Sequence, residues 1–229
     1  MTGRKGRAGR PAGAGTAPRI SAAADERFPG FDVLDQASHW DPVTAGVVLA
    51  RVGRPPDIRF FTPAEEAAAT ALCDRLLGQD SGGVPKVEVV PQIDARLAEQ
   101  ETDGWRYADM PADGQAWRDS LRFLDEDSQA ACSRELARAS LPDQRAVIQA
   151  VQDLGAKEWH GLNAAHVWSL WTRYACTAFY AHPSAWNEIG FPGPAYPRGY
   201  KNPGVGAREP FEVTDARPSR DPVHGKERG

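Results

Sequence analysis

Apolar residues recur every three or four positions through most of this chain, which is the spacing of one face of an α-helix. Trp117, Leu121 and Leu124 give one example. No stretch alternates apolar and polar residues over the length of a useful strand, so the predicted fold class is all-α. Helices are predicted over 62–77, from about 91, over 112–126, from 140 through 154 and over 163–181, with a weaker helical pattern over 128–139.

The clearest helix start is the segment Thr62-Pro63-Ala64-Glu65. The Thr62 hydroxyl can cap the first free N–H groups, and proline suits the first helical turn. Glu65 stands three residues after Thr62, where the carboxylate of a capping box belongs. This helix should end at Gly78.

The predicted helix over 163–181 is the longest and the richest in apolar residues. Trp168 and Trp171 mark one face, and Tyr174 widens it. A helix that is apolar around most of its circumference is normally buried on several sides. This helix should therefore be central, or shared with a partner, and His182-Pro183 should end it.

Beyond residue 183 the chain is rich in glycine, proline and large aromatic residues. A flexible linker would be rich in Gly, Ser and charge, whereas large rings normally need burial. Residues 183–212 are therefore predicted to form an ordered, extended arm that lies against its own helices or against a second protein. Glu188 is predicted to pair with Arg198 or with a cation of the partner. The predicted partner-interface residues are Tyr180, His182, Trp186, Glu188, Phe191, Tyr196, Arg198 and Tyr200.

Composition divides the chain into three parts. Residues 1–27 are rich in Gly, Ala and Arg and are predicted to form a disordered basic tail. Residues 28–212 form one helical domain, with an irregular lead-in over 28–60 that holds one short helix or strand. Residues 213–229 are rich in charge and proline and are predicted to be a second disordered tail.

Location and partner class follow from charge and hydropathy. The basic start has no apolar segment after it and no paired arginines, so no export signal is predicted. We expect a cytoplasmic protein, or an extracytoplasmic one only if it is exported with its partner. No apolar run approaches the roughly 20 residues of a membrane span, and a net charge of −4 gives no reason to expect nucleic-acid binding.

The chain has none of the common catalytic or cofactor motifs. Gly-rich phosphate-binding motifs, HExxH and GxSxG are all missing, so no catalytic, cofactor-binding or metal-binding residue is predicted. Cys73, Cys132 and Cys176 are an odd number without metal-type spacing. They are predicted to be buried free thiols, with one interchain disulfide as the alternative.

Two blocks resemble the small subunit 3, or gamma subunit, family of gluconate 2-dehydrogenase and related flavin-dependent sugar dehydrogenases. The first is FFTPAEEAAATALCDRLLGQD, residues 60–80, and the more specific second is AFYAHPSAWNEIGFPGPAYPRGYKN, residues 178–202. With the helices between them, the resemblance covers about 60–211. It implies a non-catalytic, all-helical companion that forms a heterodimer with a large flavoprotein of the glucose–methanol–choline (GMC) oxidoreductase type and stabilises it.

The resemblance also places the chemistry outside this chain. FAD and the catalytic His belong to the large subunit, and some complexes add a multihaem cytochrome. Small subunits of the family often begin with a twin-arginine export signal, which is not found here. Two other interpretations stay open: a free-standing helical enzyme that uses His182, Glu188 and Tyr196 under the arm, and a helical scaffold or chaperone without an oxidoreductase link.

Overall fold

The computed structural model describes residues 27–79, 86–202 and 204–220. Most of both predicted tails, residues 1–26 and 221–229, lies outside them. The described chain forms α1 (Pro42–Ala50), α2 (Pro63–Leu76), α3 (Val90–Ala98), α4 (Asp113–Cys132), α5 (Leu141–Leu154), α6 (Ala164–Tyr180) and α7 (Pro183–Ile189). Two 3-10 helices cover Val33–His39 and Leu136–Arg138, and a hairpin pairs β1 (Glu158–Trp159) with β2 (Leu162–Asn163). The predicted helical class is confirmed, since strands make up only this small hairpin in the described residues.

The start of α2 has the predicted capping box. The Thr62 hydroxyl accepts a hydrogen bond from the Glu65 N–H at 3.3 Å. The Glu65 carboxylate in turn accepts one from the Thr62 N–H at 2.8 Å. Both donors would otherwise lack a partner at the helix end, so the local sequence fixes where α2 begins.

Helix α6 lies at the centre of the main core, as its apolar circumference predicts. It packs against α2, α3, α4 and α5. Val167, Trp171 and Tyr174 are fully or almost fully buried on its inner face. The polar atoms of both buried rings have hydrogen-bond partners. Trp171 Nε1 donates to the Ser120 hydroxyl at 2.9 Å, and the Tyr174 hydroxyl donates to Asp113 at 2.7 Å.

A second, smaller hydrophobic cluster lies beside the main core. It consists of Val33, Trp40, Val48 and Trp186, and we call it the minor cluster. Three of these residues come from the lead-in over 28–60, and the fourth comes from α7. The lead-in therefore contains a 3-10 helix and α1, which is more regular structure than the sequence predicts.

The cysteines only partly match their prediction. Cys73 is buried in α2, and burial raises the pKa of its thiol. Cys132 is partly buried at the end of α4, and Cys176 is exposed. The prediction of a buried thiol is wrong for Cys176, because two residues along a helix from Tyr174 is the side that faces away from the core.

Candidate partner-binding surface

The chain does not become extended at residue 183, and this part of the predicted arm is wrong. His182 is the N-cap of α7, where its Nδ1 accepts a hydrogen bond from the Ser184 N–H at 3.1 Å. Pro183 occupies the first turn, which is the position where proline favours a helix. The His-Pro pair that ends α6 therefore also begins α7.

Two glycines of the segment IGFPGP let the arm approach the start of the described chain. Gly190 ends α7 with a φ of +68°, and a Cβ there would lie 2.5 Å from the Phe28 ring. Gly193 has a φ of +76°, and a Cβ would lie 2.6 Å from the Trp40 ring. A larger residue would meet both a strained backbone and a clash. This motif therefore holds the arm against the lead-in.

Trp186 is part of the interior of the chain. Its side chain is only 6% exposed. Its Nε1 donates to the backbone carbonyl of Tyr180 at 2.7 Å, and its ring meets Phe191 edge to face at 5.3 Å. The Arg51 guanidinium lies 6.0 Å above the same ring. We therefore leave Trp186 out of the surface that a partner would contact.

The rest of the arm also contacts its own chain. Arg198 donates to the Gln36 side chain at 2.9 Å and lies 3.9 Å over the Phe211 ring. It is not paired with Glu188, so the predicted ion pair between these two residues is wrong, while pairing of Glu188 with a cation of the partner stays a prediction. Buried Glu209 accepts hydrogen bonds from the backbone N–H groups of Lys201 and Asn202.

The described chain continues past the predicted domain boundary at 212. Asp215 forms an ion pair with Arg27, and the Ala216 N–H donates to the Arg27 carbonyl at 2.8 Å. Asp215 and Ala216 thus contact Arg27. The sequence instead predicts that a disordered tail begins at residue 213. The two ends of the described chain therefore meet beside the arm.

Several large apolar side chains of the α6 end and the arm nevertheless face outward. Their rings or branches are between about one third and two thirds exposed. Four of them were predicted as interface residues, and Ile189 was not. Up to residue 200, the exposed set is Tyr180, Ile189, Phe191, Tyr196 and Tyr200, and Val205 further along the arm is fully exposed.

Helix α1 adds an apolar surface that the sequence analysis missed. Val48 is its buried residue, at 2% exposure. On other sides, Val43 is 75% exposed, Val47 53% and Leu49 44%. The signal was present in the sequence, because PVTAGVVLA has a single polar side chain, Thr44, and so provides no polar face for water.

Each of these two exposed sets lies on an element that contributes to the minor cluster. Helix α1 reaches that cluster through Val48, and the arm reaches it through Trp186 and its neighbour Phe191. We call them together the arm–α1 surface. Its members are Val43, Val47, Leu49, Tyr180, Ile189, Phe191, Tyr196 and Tyr200.

The polar residues proposed for a site under the arm do not form one cluster. No hydrogen bond or ion pair in the described chain joins any two of His182, Glu188 and Tyr196. Partial burial lowers the pKa of His182 and raises the pKa of Glu188. Among residues 27–79, 86–202 and 204–220, no group of three His, Cys, Asp or Glu side chains is placed to hold a metal ion. No described helix has the length and apolar character to cross a membrane.

A mostly helical fold with a large exposed apolar surface is typical of a protein that assembles with another chain. The chain belongs to the gluconate 2-dehydrogenase subunit 3 family, whose model matches residues 63–193, from the start of α2 to the second glycine of IGFPGP. The family suggested by the sequence is thus confirmed, and its name describes a subunit of a dehydrogenase complex. Neither the curated proteins nor the solved structures give a match.

Proposed function

We propose that this chain is the non-catalytic small subunit of a flavin-dependent sugar or alcohol dehydrogenase. In this proposal it binds a large GMC-type flavoprotein through the arm–α1 surface and stabilises it. The FAD and the catalytic groups belong to that partner, and some complexes add a cytochrome. Membership of the subunit 3 family supports the class of complex.

The exposed side of α1 is the observation that carries the proposal. A helix that is apolar all round is normally covered on all sides. Val43 and Val47 lie one turn apart on the same side of α1 and are more than half exposed. A partner that covers them removes this apolar surface from water, which favours association.

The aromatic residues of the arm suit the same role. Tyrosine is enriched among the residues that dominate binding energy at interfaces, because one rigid ring covers a large area. Tyr196 is 67% exposed and Tyr200 is 62% exposed. The Gly199 N–H donates to the Ala195 carbonyl at 2.8 Å, which holds the backbone around Tyr196, and the Tyr200 ring packs on Phe211 at 6.0 Å. A preorganised segment loses little conformational entropy when it binds.

Stabilisation of the partner follows from mass action. A chain that binds only the folded flavoprotein shifts its folding equilibrium towards the native state. The small subunit needs no reactive group for this effect.

Co-expression with a GMC-type flavoprotein encoded in the same genome tests the proposal. An affinity tag on this chain should recover the flavoprotein, and gel filtration should show one peak that contains both chains and the flavin absorbance. Replacing both Tyr196 and Tyr200 with Ala should weaken recovery, whereas the matched change Tyr107→Ala, at an exposed tyrosine outside the arm–α1 surface, should not. Stoichiometric flavin and dehydrogenase activity in the isolated chain would contradict an accessory role.

A further inference from the structure

A cleft of about 400 Å³ opens between α3 and the C-terminal end of α6. Residues that follow α1 and residues that precede α3 complete its walls. None of the residues of the arm–α1 surface lines it. Its size is within the range of sites that hold small organic molecules.

One cation at the cleft lacks a carboxylate partner. Lys86 is paired with Asp74 at 2.7 Å, and Arg96 is paired with Asp103 at 2.8 Å. Arg51 differs, because no carboxylate of the described chain lies within ion-pair distance of its guanidinium. One Arg51 nitrogen donates to the Ala181 carbonyl at 2.9 Å, which holds the side chain at the end of α6. The guanidinium has further N–H donors for an anion.

His182 lies next to Arg51 in the wall of the cleft. Its Nδ1 accepts the Ser184 N–H, so the ring proton of the neutral form resides on Nε2. Burial lowers the pKa of His182, and this outweighs a backbone hydrogen bond with Arg51 that raises it. Because Nδ1 is taken by Ser184, the hydrogen bond with the Arg51 backbone involves Nε2, and it helps to hold Arg51 in place. The remaining N–H donors of the Arg51 guanidinium suit the oxygen atoms of a carboxylate.

The remainder of the cleft is mostly apolar. Val52, Val87, Ile93 and Ala178 contribute aliphatic groups to its walls. Glu88 is the one acidic residue among the lining residues, and its charge disfavours an anion on its side of the cleft. A ligand with one charged end and one apolar end fits this division.

We infer that the cleft binds a small organic acid, with its carboxylate at Arg51 and its apolar body against Val52, Ile93 and Ala178. This site is separate from the proposed partner surface and does not depend on the proposed function. Hexanoate has the required carboxylate and an aliphatic body that the cleft can hold. Hexanol has a similar body without the charge.

Isothermal titration calorimetry of the full chain with hexanoate tests the inference, with hexanol as the neutral comparison. Hexanoate should bind saturably at one site, and hexanol should bind at least about tenfold more weakly, because it lacks the charge-assisted hydrogen bonds. Arg51→Gln should weaken hexanoate binding by about tenfold or more. Arg54→Gln, three residues away and outside the cleft, is the matched control and should bind as the wild type does.

Thr177→Trp gives an independent test, because an indole at this exposed position of the wall would fill the cleft. Thermal melts should show that each variant is folded. The inference is overturned if hexanoate shows no saturable binding to the wild type. It is equally overturned if hexanoate binds but Arg51→Gln and Thr177→Trp leave the affinity unchanged.

Discussion

The backbone N–H of Val33 donates a 2.8 Å hydrogen bond to the side-chain oxygen of Asn187, joining two buried positions 154 residues apart in the sequence. Val33 lies in the first 3-10 helix, and Asn187 lies in α7. The root of the arm is therefore built into the interior together with the lead-in. The outer part of the arm and the outer side of α1 remain exposed.

Asn187→Ala should destabilise the chain by about 1–3 kcal/mol, because it leaves the Val33 N–H buried without its acceptor. Urea unfolding followed by circular dichroism measures the change. Gln129→Ala, an exposed position in α4, is the control and should change stability by less than about 0.5 kcal/mol. Equal stabilities of the Asn187 variant and the wild type would show that Val33 finds another acceptor.

Trp186→Ala should cost about 3–5 kcal/mol, because it removes one of the two tryptophans of the minor cluster and leaves a cavity. Tyr196→Ala should cost little, since that ring is 67% exposed. Thermal or urea unfolding of the isolated chain compares the two variants. A Trp186 variant as stable as the wild type would place this residue outside the folded core.

Thr62→Ala should lower stability by about 1 kcal/mol, the usual loss for a removed N-cap. The same unfolding experiment measures it. Thr177→Ala is a suitable control, because Thr177 is exposed and its hydroxyl makes no hydrogen bond in the described chain. If both threonine variants were equally stable, the capping box would make no net contribution.

The protein should become less stable as the pH decreases, because His182 titrates at a lower pH in the folded chain than in the unfolded chain. Burial lowers the pKa of this residue in the folded chain below its usual value of 6.5, and it outweighs a backbone hydrogen bond with Arg51 that raises the pKa. The unfolded chain therefore takes up a proton first, so the stability present above pH 6.5 is lost as the pH falls below it. His182→Asn keeps an N-cap residue but does not titrate.

Urea unfolding between pH 7.5 and 5 should show a steeper loss of stability for the wild type than for His182→Asn. The difference between the two pH dependences of stability gives the contribution of His182 alone, because the other histidines are present in both proteins. Parallel curves across the range would mean that His182 has the same pKa in the folded and unfolded chains.

Local signals in the sequence predicted most of the main helical body. The capping box at Thr62 and the apolar circumference of α6 depend on neighbouring residues, and both match the structure. Helix α7 was missed because it is only seven residues long and lies in a segment rich in turn-forming residues. Its stability comes from contacts with Val33 and Trp40, which are distant in sequence and cannot be read from a local pattern.

The candidate surface was also only partly predictable, because residue type can be read from the sequence but exposure depends on contacts between distant segments. Aromatic content identified the arm, and four of its predicted residues, Tyr180, Phe191, Tyr196 and Tyr200, are exposed. Aromatic content alone could not tell these from Trp186, since burial depends on where the lead-in folds back. The exposure of Val43 and Val47 also required the position of α1, although the lack of a polar face in this helix was visible in the sequence.

The most direct test of the account is the affinity of the flavoprotein large subunit for a chain that carries Val43→Asp and Val47→Asp together. Surface plasmon resonance with the purified large subunit measures it, and circular dichroism confirms that the variant is folded. Two charges in the centre of an apolar contact should weaken binding by about 100-fold or more. Leu141→Asp, at a similarly exposed leucine at the start of α5, should leave binding unchanged. A folded double variant that binds with wild-type affinity would contradict the assignment of the arm–α1 surface as the partner site.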